Sequence, residues 1–269
     1  MPTDKHQLRL GTCSWTAKGW ETAFYSPDTK REDYIAEYAR RYDTVEVDST
    51  FYGVPRKSTL ERWRDSTPNE FLFAAKAPKT ITHDKFLDDC APDLTHFLRA
   101  METLGDKCGP LLFQFPYFAK RRGVEMQDFI DRLAPFLKLL PNPGPQFAVE
   151  VRNKTWLAPP LFDLLHAHNV ALVLIDHPCM ATPEQLFKRQ GILTAPLLYI
   201  RWLGDRPGIE KITRTWNEVV VDRKKDLDAW APHIKTVLDK GIQVNGYVNN
   251  HYSGHAPEDV DYIQDILSR

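Results

Sequence analysis

The chain has 269 residues, of which 42% are hydrophobic, and its formal net charge is −1. This length is typical of one α/β barrel, and the hydrophobic share is enough for a large core. The near-neutral charge argues against a partner held by bulk electrostatics, such as a nucleic-acid duplex bound non-specifically or an anionic membrane surface.

No apolar run reaches the length of a membrane helix, and no apolar segment follows the N-terminus. We therefore expect neither a membrane partner nor a signal peptide. The cysteines, Cys13, Cys90, Cys108 and Cys179, are scattered and form no C-x-x-C pair. This usage indicates reduced thiols and predicts a cytoplasmic location.

Short apolar segments alternate with amphipathic ones along the chain, which is the pattern of parallel strands joined by helices. The second strand is expected within "DTVEVDSTFYG" (43–53), and the others are expected at 8–13, 71–76, 110–115, 146–152, 170–176, 196–202 and 242–250. Helices are predicted near 31–41, 58–66, 92–104, 125–139, 161–169, 226–240 and 257–268. The region from the sixth strand to about 195 has little pattern, and 203–225 is a long insertion that forms either a lid or a surface excursion.

Eight strands separated by helices, without a break in composition, predict one (β/α)8 barrel of the TIM type over residues 1–269. A doubly wound open sheet is the alternative. It is disfavoured because no Gly-rich phosphate-binding motif follows any of the strands.

Polar side chains occur at the ends of the predicted strands. In the second strand Val45 and Val47 alternate with Glu46 and Asp48. If the valines pack against the helices, the carboxylates point into the barrel near its C-terminal mouth, where barrel enzymes have their active sites. The ends of the other strands carry Lys76, Gln114, Glu150, Arg152, Asp176, Arg201, Asn249, Asn250 and His251.

Two interpretations of these polar residues remain open. In the first they form a functional mouth, in which Glu46 and Glu150 are an acid/base pair and His83 and His251 are proton carriers. In the second they are a structural plug, in which the acidic side chains form ion pairs with Lys76, Arg152 and Arg201.

The sequence requires no cofactor but leaves a divalent metal open. Glu46, Glu150, Asp176 and His251 are oxygen and nitrogen donors on separate strands, suited to Mn, Mg or Zn. No motif of fixed spacing supports such a site. Aromatic residues beside the strand ends either stack on a sugar or base or belong to the core, and they are Trp15, Trp20, Phe51, Tyr52, Trp202 and Tyr252.

Several motifs in order along the chain resemble the YecE-like family, domain of unknown function 72. They are "GTCSW" (11–15), "VEVDSTFYG" (45–53), "FAAKAPKTITH" (73–83), "GPLLFQFP" (109–116), "AVEVR" (148–152) and "NNHYSGHAP" (249–257). The resemblance implies a TIM-type barrel and a cytoplasmic protein, but no settled activity. The family's recurring polar residues fall on Glu46, Ser49, Tyr52, Lys76, Gln114, Glu150, Arg152, Asn249 and Asn250. One departure is Leu203, which stands where many relatives have a histidine.

Three functions follow as hypotheses. The first is an enzyme that hydrolyses or isomerises a small polar, anionic or sugar-like substrate, held by Lys76, Arg152 and Arg201 and oriented by Asn249 and Asn250. The second is a nucleic-acid-binding or phosphodiester-processing protein, by analogy with endonuclease IV-type barrels. The third is a ligand binder without catalysis. A small-molecule partner is favoured over nucleic acid.

Overall fold

The computed structural model of the chain describes residues 7–119, 121 and 123–269, so residues 1–6 of the predicted domain lie outside the described residues. One sheet contains the strands β1 (Leu8–Thr12), β2 (Thr44–Val47), β3 (Leu72–Lys76), β4 (Cys108–Gln114), β5 (Phe147–Glu150), β6 (Ala171–Asp176), β7 (Leu197–Trp202) and β8 (Gln243–Val248). The α-helices are α1 (Trp20–Ala23), α2 (Tyr34–Tyr38), α3 (Lys57–Asp65), α4 (Ala91–Met101), α5 (Met126–Leu137), α6 (Pro159–Ala167), α7 (Pro183–Phe187), α8 (Arg206–Ile209), α9 (Lys224–Asp239) and α10 (Ala256–Ser268).

The eight strands are parallel and follow the order β1-β8-β7-β6-β5-β4-β3-β2. The sheet curves into a nearly closed barrel with β1 and β2 at its two ends. The predicted (β/α)8 barrel is therefore confirmed, and the open doubly wound alternative is wrong. A barrel of this kind brings the C-terminal ends of all its strands to one mouth.

Side chains and carbonyl groups join the two ends of the sheet. The Tyr38 hydroxyl on α2 accepts a hydrogen bond from Thr12 N at 2.9 Å and donates one to Thr44 O at 3.2 Å. Gly11 lies in the same seam, where a Cβ atom would be only 2.2 Å from Thr44 O. The close approach of β1 to β2 thus requires glycine at this position.

The parallel register determines which side chains point into the barrel. Glu46 is opposite Ala74, and Arg201 is opposite both Ile175 and Tyr247. Because successive side chains alternate between the two faces of a strand, Val45 and Val47 face the helices and Glu46 faces the interior. The expected alternation in the second strand is confirmed.

Two strands end two residues earlier than predicted, β5 at Glu150 and β8 at Val248. After β5 the Asn153 side chain exchanges two hydrogen bonds of 2.9 Å with the backbone of Phe118 in the loop after β4. After β8 the Asn249 side chain accepts a hydrogen bond from His251 N at 3.0 Å and starts a turn. Arg152 and the segment 249–251 are therefore mouth loops and not strand residues.

The helices are amphipathic and cover the outside of the barrel. In α5, for example, Phe129, Leu133 and Phe136 face the sheet and are buried. The short helix α7 lies in the region where no helix was predicted, because its five residues are too few for a periodic pattern; Thr182 and Gln185 form its capping box. Within the described part of the chain, no helix is both long and apolar enough to cross a membrane.

The long insertion after β7 is attached to the barrel at both sides. Trp216 N donates to Lys18 O at 2.8 Å in the loop after β1, and Val220 N donates to Ser253 O at 2.8 Å in the loop after β8. Leu203, Gly204 and Arg206 at its start line the barrel mouth. In this structure the insertion is one wall of the mouth.

Replacing Tyr38 by phenylalanine removes the hydroxyl that joins β1 to β2 and keeps the ring. We expect the free energy of unfolding to fall by about 1–3 kcal/mol, because the buried N–H of Thr12 loses its acceptor. Tyr34→Phe is the matched control: Tyr34 begins the same helix, and its hydroxyl has no hydrogen bond to any described residue. Urea denaturation measures both variants, and equal losses would contradict the role assigned to the Tyr38 hydroxyl.

Candidate active site

Arg201 is the centre of a buried ion cluster, which consists of Arg201, Glu46, Glu150 and Asp48. Its Nε and Nη2 are 3.0 and 2.6 Å from Glu46 Oε1, and its Nη1 is 2.7 Å from Glu150 Oε2. Nη2 also donates to Asp48 Oδ1 at 3.3 Å. One guanidinium from β7 therefore binds carboxylates from β2, from the turn after β2 and from β5.

The two glutamates of the buried ion cluster have no solvent exposure. Glu46 Oε2 accepts a hydrogen bond of 2.5 Å from the Tyr199 hydroxyl, and Glu150 Oε1 accepts one of 2.5 Å from Arg152 Nε. Burial alone would raise the pKa of Glu150, but the guanidiniums of Arg152 and Arg201 outweigh it and lower that pKa to about 2. Glu150 is thus an anion held by two arginines.

Asp48 is the one carboxylate of the buried ion cluster that reaches solvent, with 34% of its side chain exposed. Desolvation raises its pKa, Arg201 lowers it and the charge of Glu46 raises it again, with the result that the pKa is about 6 instead of 3.8. A carboxyl group with this pKa exchanges protons near neutral pH, which is the property of a general acid or base.

A cavity of about 500 Å³ opens above the buried ion cluster at the C-terminal end of the barrel. This mouth cavity contains many of the predicted site residues but neither Glu46 nor Glu150. Its lining comprises Asp48, Phe51, Tyr52, Lys76, His83, Gln114, Arg152, His177, Arg201, Leu203, Gly204, Arg206, Asn249 and His251. Leu203, the residue that departs from the family pattern, is therefore part of the mouth.

Lys76 ends β3 and enters the mouth cavity from the same face as Ala74. Its Nζ lies 4.1 Å from the centre of the Phe51 ring. No carboxylate oxygen of the described residues is within 4.0 Å of this ammonium group. Burial lowers the pKa of Lys76, although the charge of Asp48 acts in the opposite direction.

His83 follows β3 and lines the same side of the mouth cavity. Its Nδ1 is 2.8 Å from the hydroxyl of Thr82, and its ring contacts Phe51 edge to face. Burial and the nearby charge of Lys76 lower the pKa of His83 to about 4. The imidazole is therefore neutral at physiological pH, which is the form that accepts a proton.

Polar groups from other strands complete the mouth cavity. Arg152 has 26% of its side chain exposed, so it contacts both Glu150 and the cavity. Gln114 donates from Nε2 to Phe115 O at 2.5 Å. Asn249 Oδ1 is 2.5 Å from His251 Nδ1, and His251 Nε2 is 3.2 Å from Glu210 Oε1.

Two predicted substrate-binding residues have other partners. Asp176 is opposite Trp202, so it points toward the helices, and its Oδ2 accepts hydrogen bonds from Trp230 Nε1 at 2.8 Å and the Tyr252 hydroxyl at 3.0 Å. The expectation that Asp176 belongs to the polar ring of the mouth is thus wrong. Asn250 accepts from Ala256 N at 3.0 Å and so supports the start of α10.

The ion-pair interpretation describes the buried ion cluster, and the mouth interpretation describes the cavity above it. Arg201 pairs with Glu46, Glu150 and Asp48 in the buried ion cluster, as a plug would. Lys76 and Asp176, which the plug interpretation also included, are not in these pairs. Above the plug the mouth cavity remains open.

The aromatic residues divide between core and mouth. Trp20, Trp202 and Tyr252 are buried core residues. Phe51 and Tyr52 line the mouth cavity, and Tyr52 is 80% exposed at its rim. Trp15 also packs against the core, edge to face with Trp63, so four of the six aromatic residues are structural.

The prediction omitted His177 as a member of the mouth and considered Arg206 only among the basic residues near a mouth that could contact nucleic-acid phosphates. His177 directly follows β6, so the same strand-end criterion applied one residue later would have found it. Arg206 begins α8 within the insertion, and nothing local in the sequence places it at the mouth. Only the folded chain brings it there.

A wider cavity of about 760 Å³ adjoins the mouth cavity. The two share Gln114, Arg152 and His177 as lining residues. The wider cavity is mainly apolar at its far side, where Phe118 and Trp156 stack on each other with ring centres 5.3 Å apart. The mouth therefore continues into a second compartment.

The four potential metal ligands that the sequence left open do not form one cluster among the described residues. Asp176 points outward, and His251 is bound to Asn249 and Glu210. Among the described residues, the group of three donor atoms that lie close together is Cys13, Glu46 and Asp48. Arg201 Nη2 binds both carboxylates and is 4.0 Å from Cys13 Sγ, so a guanidinium already fills this donor set.

The sequence matches the family described as "Protein of unknown function DUF72" over residues 9–269. It is 32% identical over 190 residues to the UPF0759 protein YecE of Escherichia coli strain K12, an alignment that spans 63% of this chain and 66% of the length of that protein.

Solved structures agree with the fold. The chain superposes on a DUF72 family protein of Thermotoga maritima MSB8 with a TM-score of 0.78 and 21% identity, over 98% of this chain and all of that one (100%). It superposes on a D-psicose 3-epimerase, solved in the presence of D-fructose, with a TM-score of 0.52 and 12% identity, over 96% and 95% of the two chains. A match of the family to nearly the entire sequence, together with this fold, shows that the chain belongs to the DUF72 family.

Proposed function

We propose that the protein is an enzyme whose active site is the mouth cavity and which isomerises a small polar substrate carrying an anionic group. The observation that supports this proposal best is the charge of the cavity lining. Lys76, Arg152, Arg201 and Arg206 are basic, whereas Asp48 is the acidic residue of that lining. A concave site with this balance attracts anions.

The anionic group is assigned to Arg152 and Arg206. The guanidinium of Arg201 is saturated by three carboxylates, so it contributes charge but has little capacity for further hydrogen bonds. Arg152 and Arg206 reach solvent, and their planar guanidiniums match carboxylate and phosphate oxygens in a bidentate manner. Asn249 and Gln114 are available for substrate hydroxyl groups.

Proton transfer is assigned to Asp48 and His83. Their pKa values of about 6 and about 4 allow both groups to accept a proton at neutral pH, and Asp48 also to donate one. Glu46 and Glu150, the predicted acid/base pair, are enclosed below them. We assign them the role of holding Arg201, and through it Asp48.

Isomerisation is favoured over hydrolysis by the arrangement of carboxylates. Glycoside hydrolysis requires two carboxyl groups that flank the reacting bond. Among the carboxylates of the described residues, Asp48 is the one that lines the mouth cavity. A proton transfer next to a carbonyl group needs only one or two proton carriers. The fold that the chain shares with a D-psicose 3-epimerase agrees with this reaction class but does not establish it.

The proposed reaction does not use a divalent metal bound by the buried ion cluster. Burial and the charge of Glu46 raise the pKa of the Cys13 thiol, so this donor is protonated. Arg201 supplies the positive charge that a metal ion would otherwise provide to Glu46 and Asp48. The donor set therefore does not fit a metal as long as Arg201 is present.

Nucleic acid is the second candidate ligand. Two exposed aromatic rings, Tyr52 at 80% and Tyr117 at 62% exposure, flank the mouth cavity and the adjoining compartment. Rings in such positions stack on bases of single strands. The net charge of −1 argues against a large phosphate-binding surface. The cysteines are unpaired, which supports a cytoplasmic location for either function.

Anion binding can be tested by thermal shift with a panel of sugar phosphates, sugar acids, the matching neutral sugars and a single-stranded oligonucleotide. We expect at least one anionic sugar to raise the melting temperature and the neutral sugars to have no effect. Arg152→Gln should abolish the shift, and the surface variant Arg40→Gln should retain it. Stabilisation by the oligonucleotide alone would favour the second candidate, and no stabilisation by any anion would refute the proposal. Tight binding without turnover would identify a ligand binder.

The raised pKa of Asp48 predicts a pH-dependent stability difference. A carboxyl group whose pKa is raised by folding favours the folded state when protonated, and this contribution is lost as the pH rises through about 6. Asp48→Asn should therefore raise the melting temperature above pH 7 relative to the parent chain. The two proteins should converge below pH 4. A constant difference across this range would show that the Asp48 pKa is not raised.

Removing Arg201 should convert the buried ion cluster into a metal site. Arg201→Gln leaves the buried Glu46 without a cation, whereas Glu150 keeps Arg152, so we expect a loss of about 3–5 kcal/mol in stability. Co²⁺ should restore part of this loss and produce Co²⁺–thiolate absorption through Cys13. The variant Arg201→Gln with Cys13→Ser should lack that absorption. Equal Co²⁺ binding by the parent chain would contradict our account of the cluster.

A further inference from the structure

Lys76 differs from other lysines of the chain in its surroundings. Lys79 pairs with Asp84 at 3.6 Å, Lys85 pairs with Asp93 at 2.8 Å, and both are largely exposed. Lys76 is half-buried in the mouth cavity, and no carboxylate oxygen of the described chain lies within 4.0 Å of it. An amine that is shielded from water and lacks an ion pair has lost much of what stabilises its charged form.

The groups around Lys76 are those that amine chemistry requires. Asp48 follows β2, the strand that pairs with β3, and His83 follows β3, which Lys76 ends; all three line the mouth cavity. The charge of Asp48 opposes the lowering of the Lys76 pKa by burial, and the charge of Lys76 helps to lower the pKa of His83. The Phe51 ring lies 4.1 Å from Nζ, where it shields the amine from water and also attracts its ammonium form through a cation–π contact. A nucleophile, a proton donor and a proton acceptor thus share one cavity.

The geometry points to Lys76 Nζ as a nucleophile that forms an imine with an aldehyde or ketone carbonyl group of the substrate. This inference rests on the proposed function, because the anionic group held by Arg152 and Arg206 brings the carbonyl group to Lys76. The substrate class is accordingly an anionic carbonyl compound, such as a keto acid or a phosphorylated sugar in its open form.

The first step is an addition followed by loss of water. The neutral amine attacks the carbonyl carbon, and one proton of the attacking nitrogen passes to the carbonyl oxygen, which gives a carbinolamine. Asp48 in its protonated form gives a second proton to this hydroxyl group, which leaves as water while the C=N bond forms. The step consumes no oxidant or reductant, and hydrolysis of the imine regenerates the amine and the carbonyl group.

The imine explains how a site without a metal can remove a proton from carbon. A protonated imine withdraws electrons from the adjacent C–H bond more strongly than a carbonyl group does. Asp48, ionised after the first step, or His83 accepts that proton, and its return to the other face or the neighbouring carbon completes an isomerisation. Lowering of the Lys76 pKa by burial increases the share of neutral amine available at pH 7.

Reductive trapping of the intact protein tests the inference. Formaldehyde, which needs no anion site, and glyoxylate, which carries both a carboxylate and an aldehyde, are each added with cyanoborohydride at pH 7. Peptide mass spectrometry then gives the rate of modification at every lysine. We expect Lys76 to react faster than Lys79 with both reagents, by about tenfold for each unit by which its pKa lies lower.

The outcomes distinguish a failure of the imine inference from a failure of the proposed function. Glycolate, which has the carboxylate but no aldehyde, is tested for protection of Lys76 and for thermal stabilisation. Glycolate binding together with a Lys76 rate no higher than that of Lys79 would overturn the imine and leave the anion site intact. Rapid trapping by formaldehyde without any anion binding would support the reactive lysine and refute the proposed function.

Lys76→Arg provides the matched variant, because it keeps the positive charge and cannot form a stable imine. Trapping should disappear at position 76, whereas thermal stabilisation by glycolate should remain. Loss of the glycolate effect in this variant, together with no preferential trapping in the parent chain, would make Lys76 a simple anion ligand. The trapping rates in the parent chain decide the question even if the variant does not fold.

Discussion

The guanidinium of Arg201 is the constraint on which the arrangement of the mouth depends. It is nearly completely buried, and it satisfies Glu46 and Glu150 with contacts of 2.6 to 2.7 Å. Buried charges are costly unless they are paired and hydrogen-bonded, so none of these groups can move without leaving another one unpaired. The floor of the mouth is therefore rigid, and it presents Asp48 to solvent in one orientation.

The floor and the rim of the mouth differ in the sign of their net charge. In the floor three carboxylates surround one arginine, and Arg152 from above offsets part of the surplus negative charge. At the rim Lys76 and Arg206 form no ion pair with the buried Glu46 or Glu150. This division leaves positive charge where a ligand arrives, while the negative charge stays below it. Asp48 lies between the two layers, where burial and the charge of Glu46 raise its pKa.

A buried arginine in place of a metal ion changes what the site can do. A divalent ion would bind a substrate oxygen directly and polarise it, but a guanidinium saturated by carboxylates cannot. An amine beside the cluster can polarise a carbonyl group covalently, and Lys76 is the amine in that position. In our proposal Arg201 occupies the place of a metal ion. The imine formed by Lys76 then withdraws electrons from the substrate, as a metal ion would otherwise do.

The eight strands, most of their boundaries and the inward direction of Glu46 were determined by local patterns in the sequence, because alternation along a strand needs only neighbouring residues. The same patterns placed Lys76, Gln114, Arg152 and Asn249 at the mouth. They could not decide that Asp176 hydrogen-bonds to Trp230 or that Arg206 of the insertion lines the cavity. Nor could they decide that Arg201 binds three carboxylates at once. Those contacts join residues far apart in the chain, and only closure of the barrel brings them together.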